Sequence, residues 1–158
     1  MDRRSFNTCA AGILIGSSLP LYGKQDRIRI GQIGLAHPHA SGKLKAVQSL
    51  PETYEIVGVV EPDLSLRKRA QEVTFISLDQ LMNAKGLQAV VIETGVKDLV
   101  TTALPVVEAG KHIHLDKPAG PTLAPFEKLL ESAKRQGLAV QMGYMLRYNP
   151  AFEFMFKT

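Results

Sequence analysis

The sequence predicts an α/β fold of the Rossmann type, with a doubly wound parallel sheet and helices on both of its faces. Short runs rich in Val, Ile and Leu are nearly continuous, which is typical of strands buried on both sides. Candidate helices separate these runs with short connections, which favours right-handed crossovers. The 158 residues, 45% hydrophobic and 22% charged, also suit one globular domain of ordinary size.

The predicted elements alternate along the chain after the first two dozen residues. The predicted strands are the apolar runs 28–35, 55–60, a weak 73–76, 87–92, 112–115 and 138–142. The candidate helices between them are 39–50, 64–72, 78–84, 98–109 and 123–136. The last helix has the clearest pattern, because its apolar residues share one face between an N-cap, Thr122, and Gly137 just past its end.

Residues 1–23 read as a targeting segment. Arg3 and Arg4 precede an apolar run from Cys9 to Tyr22, a pattern that resembles a twin-arginine export signal. The run is too short for a stable membrane span. We therefore expect export to the periplasm, and the alternative is a mildly basic tail on a cytoplasmic protein.

Charge and cysteine count exclude two features, nucleic-acid binding and an internal disulfide. The formal net charge of +4 is modest and scattered along the chain, which argues against nucleic acid as a partner. The single cysteine excludes an internal disulfide.

The turn after the first predicted strand has the position of a dinucleotide-binding loop. In residues 30–39, the G-x-G-x-x-G pattern keeps its first glycine as Gly34, with Ala36 and His39 at the second and third positions. Such a turn brings backbone N–H groups to a pyrophosphate, so Gly34, Leu35, Ala36 and His39 are candidate cofactor-binding residues. His39 would either donate to a phosphate or simply pack against the neighbouring strand.

Glu61 ends the second predicted strand, 22 residues after His39. A carboxylate at this spacing accepts the adenine-ribose hydroxyls and repels a 2′-phosphate, so the sequence favours NAD, with NADP as the alternative. A solvated acid at a strand end is the competing interpretation. Three basic residues follow, 67 to 69, which would either neutralise a phosphate or form the exposed face of a helix.

Two further motifs resemble those of a known family. Residues 108–118, Glu-Ala-Gly-Lys-His-Ile-His-Leu-Asp-Lys-Pro, look like the "AGKH…EKP" signature of the Gfo/Idh/MocA oxidoreductases. Residues 147–150, Arg-Tyr-Asn-Pro, resemble that family's "R-[FY]-N-P" segment. The resemblance implies a nucleotide-binding Rossmann domain over 24–149 and hydride transfer on a sugar, cyclitol or related polyol.

The resemblance also assigns roles to individual residues. It places Lys117 near the nicotinamide and the substrate hydroxyl as the catalytic lysine, and it makes Thr94 and Gly95 cofactor contacts. Asp116 stands where the family usually has glutamate, and Leu99 stands where many members have histidine. A homo-oligomer is also compatible with the resemblance.

Histidines occur in two His-x-His pairs, 37 with 39 and 112 with 114. Imidazoles are common metal ligands, but no third ligand lies at a convincing spacing in the sequence. We therefore predict no metal site.

Residues 150–158 read as the first turn of a C-terminal substrate domain that is otherwise absent from this sequence. We expect the nucleotide-binding part of an oxidoreductase, which would act on a polyol when a C-terminal domain is supplied. The alternative is a non-catalytic or degenerate nucleotide-binding module. Glu61, Lys117 and the export signal favour the enzyme, while Ala36, His39 and Leu99 favour the alternative.

Overall fold

A computed structural model describes residues 26–157 of the chain. The predicted signal segment, 1–23, and the final residue of the predicted C-terminal stub, Thr158, lie outside the described residues. Within them, five strands form one sheet in the order β2-β1-β3-β4-β5, and every neighbouring pair is parallel. The strands are β1 Ile28–Ile33, β2 Tyr54–Val60, β3 Ala89–Ile92, β4 His112–Leu115 and β5 Val140–Met142.

Helices occupy the connections between the strands. They are α1 Ala40–Gln48, α2 Leu64–Arg67, α3 Leu78–Met82, α4 Leu99–Glu108, α5 Leu123–Arg135 and α6 Pro150–Lys157, with a 3₁₀ turn at Val96–Asp98 before α4. None of the described helices has the length and apolar character that crossing a membrane requires. Gly137 adopts a positive φ of 65° just after α5, as predicted for a residue beyond a helix end.

Two apolar clusters cover opposite faces of the sheet. The larger cluster joins β3 and β4 to α4 and α5, and the smaller one joins α1 to β2. Val59 and Val60 are adjacent on β2, and they contact different clusters because successive side chains of a strand point to opposite faces. The prediction of a doubly wound parallel sheet with helices on both faces is confirmed.

Two predicted elements are shorter than expected. The predicted strand 73–76 contributes a single bridge, Phe75 to Val59, on the outer edge of β2. The predicted helix 64–72 ends at Arg67, and Glu72 adopts a positive φ of 55° that a right-handed helix cannot contain. The chain between the end of α2 and the bridge at Phe75 is therefore irregular.

The strand order creates a crevice at one edge of the sheet. The chain leaves β1 toward β2 on one side and later returns to β3 on the other side. In open parallel sheets, ligands bind at the carboxyl edge where the direction of winding reverses in this way. The loops after β1, β2, β3 and β4 all lie at that edge.

Candidate functional site

The carboxyl edge of the sheet brings the predicted site residues together from four strands. Gly34, Leu35, Ala36 and His39 follow β1, Glu61 follows β2, Thr94 and Gly95 follow β3, and Lys117 follows β4. Residues up to 83 positions apart in the sequence therefore lie at the same edge, because the strands that precede them pair in parallel.

Gly34 fixes the loop after β1 against the end of β3. Its φ is +90°, and its N–H donates to the carbonyl oxygen of Val60 at 2.8 Å. A Cβ atom at this position would lie 2.7 Å from the backbone nitrogen of Thr94. Both the conformation and the close approach require glycine, which explains why the first glycine of the loop pattern is retained.

Glu61 is buried, and its carboxylate holds the loop. Its Oε2 accepts the N–H of Leu35 at 2.7 Å, and its Oε1 accepts the N–H of Asp63 at 2.9 Å. The alternative of a solvated acid at a strand end is therefore wrong. Each carboxylate oxygen has a second lone pair, so these two bonds leave capacity to accept hydroxyl groups.

A groove of about 760 Å³ opens beside Glu61. Five of the predicted cofactor residues line it, namely Gly34, Ala36, Glu61, Thr94 and Gly95. Apolar side chains from the segment before α3, including Phe75 and Ile76, form part of its wall. The groove therefore combines an apolar wall with polar groups at the strand ends, as binding sites for small molecules commonly do.

Arg69 holds the same loop from outside the groove. Its guanidinium donates to three consecutive carbonyl oxygens, those of Leu35 at 2.6 Å, Ala36 at 3.3 Å and His37 at 3.1 Å. Lys68, its neighbour, is exposed. The prediction that residues 67 to 69 form an exposed helical face is wrong for Arg69.

Arg67 also has a defined position. Its Nε donates to the carbonyl oxygen of Glu61 at 2.9 Å, and its guanidinium lies 4.8 Å from the centre of the Phe75 ring. A guanidinium over an aromatic face is favourable, and this one lines the groove. Arg67 therefore forms part of the groove wall beside the predicted ribose-binding carboxylate.

His39 and Lys117 lie on the β4 side, outside the lining of the groove. His39 Nδ1 is 3.0 Å from Oδ2 of Asp116, and the backbone N–H of Lys117 donates to Oδ1 of the same carboxylate at 2.6 Å. The Lys117 side chain is exposed. Asp116 thus orients the backbone of the predicted catalytic lysine while its other oxygen faces the histidine.

Glu93, directly after β3, is fully buried. Its Oε2 lies 3.4 Å from Nδ1 of His37, and neither of its carboxylate oxygens accepts a hydrogen bond from the described residues. Burial, and next to it the negative charge of Asp116, raise the pKa of Glu93 to about 8. Burial also lowers the pKa of His37 below its ordinary value, so this imidazole is held neutral.

Asp116 behaves differently from Glu93. Burial opposes its ionisation, but the Lys117 N–H and the contact with His39 outweigh burial, so the pKa of Asp116 is lowered. The Lys43 ammonium, 3.9 Å from Oδ2, acts in the same direction. Asp116 is therefore the ionised member of this carboxyl pair.

Sequence reasoning missed Glu93 and Lys43, and it did not predict that Arg69 binds the loop after β1. The available signal for Glu93 was an acidic residue directly after a strand predicted to be buried on both faces. The absence of a metal was predicted because no third ligand is close in sequence to either His-x-His pair. In the fold, Asp116 lies beside both His37 and His39.

Comparison with known proteins gives a family match. The model of the GFO_IDH_MocA oxidoreductase family, described as an NAD-binding Rossmann fold, matches residues 28–144. The oxidoreductase ORF334 of Rhizobium meliloti is 29% identical over 139 residues, which are 83% of this chain and 40% of that protein. This chain therefore spans 40% of the length of the curated relative that it matches.

Solved structures share the fold over the same region. The WlbA dehydrogenase of Bordetella pertussis, determined with NADH and UDP-GlcNAcA, has a TM-score of 0.72 and 18% identity. The match covers 84% of this chain and 41% of that one. KijD10, a 3-ketoreductase of Actinomadura kijaniata determined with NADP, has a TM-score of 0.72 and 20% identity over 84% of this chain and 42% of that one.

Proposed function

The chain belongs to the GFO_IDH_MocA oxidoreductase family through its NAD-binding Rossmann domain, and on that premise we propose that it binds NAD in the groove beside Glu61. We further propose that the domain serves hydride transfer on a sugar, cyclitol or related polyol. The substrate class is supported by the nucleotide-sugar in the WlbA structure and by the ketoreductase KijD10. The observation that carries the cofactor proposal is the buried Glu61 carboxylate in the lining of the groove.

The choice of NAD over NADP follows from the charge of Glu61. Its two backbone hydrogen bonds hold the carboxylate at the end of β2, where its remaining lone pairs would accept the two ribose hydroxyls. A 2′-phosphate would meet this negative charge at close range. The Arg67 guanidinium beside it is already engaged by the Glu61 carbonyl and the Phe75 ring.

The loop and α1 suit the pyrophosphate in part. Helix α1 begins at Ala40, directly after the loop, and the N-terminus of a helix attracts phosphate. Ala36 is exposed in the groove lining, and its methyl group stands where the ideal loop has a glycine. The residues therefore fit a dinucleotide, with a close approach that is more crowded than in the ideal pattern.

Lys117 is the residue we propose for catalysis. Bound NAD supplies the hydride acceptor, and the exposed Lys117 ammonium would orient the substrate hydroxyl and stabilise developing negative charge on its oxygen. The hydrogen bond from the Lys117 N–H to Asp116 fixes the backbone from which that side chain extends.

Calorimetric titration with NAD⁺ and with NADP⁺ tests the cofactor proposal. We expect NAD⁺ to bind more tightly, and Glu61→Gln to weaken NAD⁺ binding about tenfold through loss of one charge-assisted acceptor. The matched control, Glu55→Gln, changes an acid at the opposite end of β2 and should leave the affinity unchanged. Tighter binding of NADP⁺ would overturn the assignment, and no binding of either at millimolar concentration would favour the degenerate module.

A Lys117→Ala variant separates catalysis from binding. Its NAD⁺ affinity should stay close to wild type, whereas turnover in a chain that also carries a substrate domain should fall by at least about 100-fold. Unchanged turnover would remove Lys117 from the mechanism.

We also propose that residues 1–23 direct export through the twin-arginine pathway. The support is Arg3 and Arg4 ahead of the apolar run. Fused to a reporter protein, this segment should give periplasmic activity that a change of both arginines to lysine abolishes.

A further inference from the structure

A cluster of imidazole and carboxylate groups lies where the loop after β1 meets the ends of β3 and β4. His37 Nδ1 is 3.4 Å from Glu93 Oε2 and 3.6 Å from Asp116 Oδ2. His39 Nδ1 is 3.0 Å from the same Asp116 oxygen. Ligand atoms from His37, His39 and Asp116 all lie within 4.8 Å of one another. Two ligands at about 2.1 Å from a tetrahedral zinc ion are about 3.4 Å apart, so the cluster is near the size that one ion requires.

We propose that His37, His39 and Asp116 bind one divalent transition-metal ion of the zinc type, with the Glu93 carboxyl group beside them. Two imidazole nitrogens with one carboxylate oxygen favour Zn²⁺ over Mg²⁺ or Ca²⁺, which prefer oxygen ligands alone. The ion would join the loop after β1 to the end of β4, next to the end of β3. This site replaces the sequence-based prediction of no metal, and it does not depend on the proposed nucleotide binding.

Glu93 provides independent evidence for a missing partner. Its side chain is fully buried, and neither oxygen accepts a hydrogen bond from the residues that the structure describes. Buried carboxylates are almost always paired or hydrogen-bonded, because leaving them without a partner is costly. A cation bound by the neighbouring His37 and Asp116 would give this carboxyl group an oppositely charged partner.

His37 Nδ1 lies close to several polar groups at once. The His39 backbone N–H donates to it at 3.3 Å, and oxygens of Glu93 and Asp116 lie within 3.6 Å of it. An imidazole nitrogen has one lone pair, so a metal ion bound at Nδ1 would replace this long hydrogen bond. Three electron-rich atoms at such distances repel one another unless a proton or a metal ion lies among them.

The charges around the cluster favour a cation. The Lys43 ammonium lies 3.9 Å from Asp116 Oδ2 and contributes one positive charge. Two carboxylates, Glu93 and Asp116, stand against it in a buried setting. With both carboxyl groups ionised, the three groups carry a formal charge of −1, which a bound cation would offset.

Metal titration of the full 158-residue chain tests the proposal. The protein, purified without a histidine tag and treated with a chelator, is titrated with Zn²⁺ by calorimetry in the absence of nucleotide. We expect one Zn²⁺ per chain and an increase in Tm that is reversed by chelator. No binding at micromolar Zn²⁺ would overturn the proposal and leave a shared proton as the partner of Glu93. Because no nucleotide is present, this failure is distinguishable from failure of the NAD assignment.

Variants locate the ion. His39→Ala and Asp116→Asn should each weaken Zn²⁺ binding by at least about 100-fold, since the first removes a direct ligand and the second replaces a charged ligand with a neutral amide. The matched control is His112→Gln, because His112 is exposed and its Nδ1 only accepts the Ala139 N–H, which glutamine can also accept. If Asp116→Asn does not fold, the half-buried His39 decides the outcome alone. Wild-type affinity in His39→Ala, or an equal loss in His112→Gln, would place the ion elsewhere and overturn the proposal.

Discussion

Glu61 and Glu93 occupy equivalent places in the fold, but their surroundings differ. Each is the first residue after a parallel strand, and each is buried at the carboxyl edge of the sheet. Glu61 accepts backbone N–H groups at 2.7 and 2.9 Å, whereas Glu93 accepts none from the described residues. The difference shows that the position of an acid at a strand end does not determine whether its carboxyl group is hydrogen-bonded. The donors that surrounding loops supply decide whether the acid is satisfied or still requires a partner.

The largest expected change in stability comes from Gly34, which lies between the ends of β2 and β3, the strands that precede the two acids. Gly34→Ala should lower the free energy of unfolding by about 3 kcal/mol, since a left-handed residue and a core overlap each contribute about 1–3 kcal/mol. The added Cβ would meet the backbone of Thr94 and Glu93 at 2.7–2.8 Å, and backbone atoms cannot move aside. Denaturant unfolding measures the change.

Gly42→Ala is the matched control, because a Cβ there meets no atom within 4 Å. It should stabilise α1 by about 0.5–1 kcal/mol, the ordinary preference of a helix for alanine over glycine. Equal losses in both variants would show that the loop after β1 is not held as tightly as its contacts imply.

The comparison predicts that replacing glutamate by glutamine changes the free energy of unfolding in opposite directions at Glu61 and Glu93. In chelator-treated protein at pH 7, Glu61→Gln should destabilise by about 2 kcal/mol, because one charge-assisted acceptor becomes a donor facing another donor. Glu93→Gln should stabilise by about 1 kcal/mol, because it removes a buried carboxyl that must bind a proton on folding. The same sign for both variants would contradict the difference between the two regions.

The stability difference between Glu93→Gln and the wild type should also depend on pH. Because the pKa of Glu93 is raised from 4.5 to about 8 in the folded chain, folding is penalised as the pH rises above 4.5. The advantage of glutamine should therefore disappear when the pH falls below 4.5, where the unfolded carboxyl is protonated as well. Unfolding curves of the chelator-treated proteins at pH 4 and pH 7 measure this difference.

The sequence predicted the sheet well because its strands read as continuous apolar runs, most clearly the two largely buried central strands β1 and β3. The strand predicted over 73–76 was wrong because it lies at the edge of β2, where one bridge at Phe75 is all the pairing that forms. Gly34 and Glu61 could be proposed as cofactor-binding residues because their motif has a fixed spacing along the chain. Glu93 and its neighbours could not be found in that way, since His39 and Asp116 are 77 residues apart and meet through strand pairing.

Arg69 tests whether the groove side is held by its hydrogen bonds. Arg69→Ala should lower the free energy of unfolding by about 1–2 kcal/mol, since it removes donors from three loop carbonyls. It should also weaken NAD⁺ binding, because the loop would lose its fixed conformation. Lys68→Ala, a change of the adjacent exposed lysine, should stay within about 0.5 kcal/mol of wild type. Equal effects of Arg69→Ala and Lys68→Ala would show that the Arg69 hydrogen bonds do not stabilise the loop.

The smallest effect concerns how well the groove is fitted to a dinucleotide. Ala36 is exposed in the groove lining, where its methyl group narrows the approach of a pyrophosphate to the loop backbone. Ala36→Gly should therefore tighten NAD⁺ binding by about threefold, since one methyl group contributes less than about 1 kcal/mol. Ala36→Val should weaken binding, because it enlarges the same obstruction without changing charge. Calorimetry on the three proteins gives the order Gly, Ala, Val if the phosphates contact this loop. Equal affinities would mean that any nucleotide is held by the Glu61 end of the groove alone, which would leave the loop after β1 as a support for the Glu93 cluster.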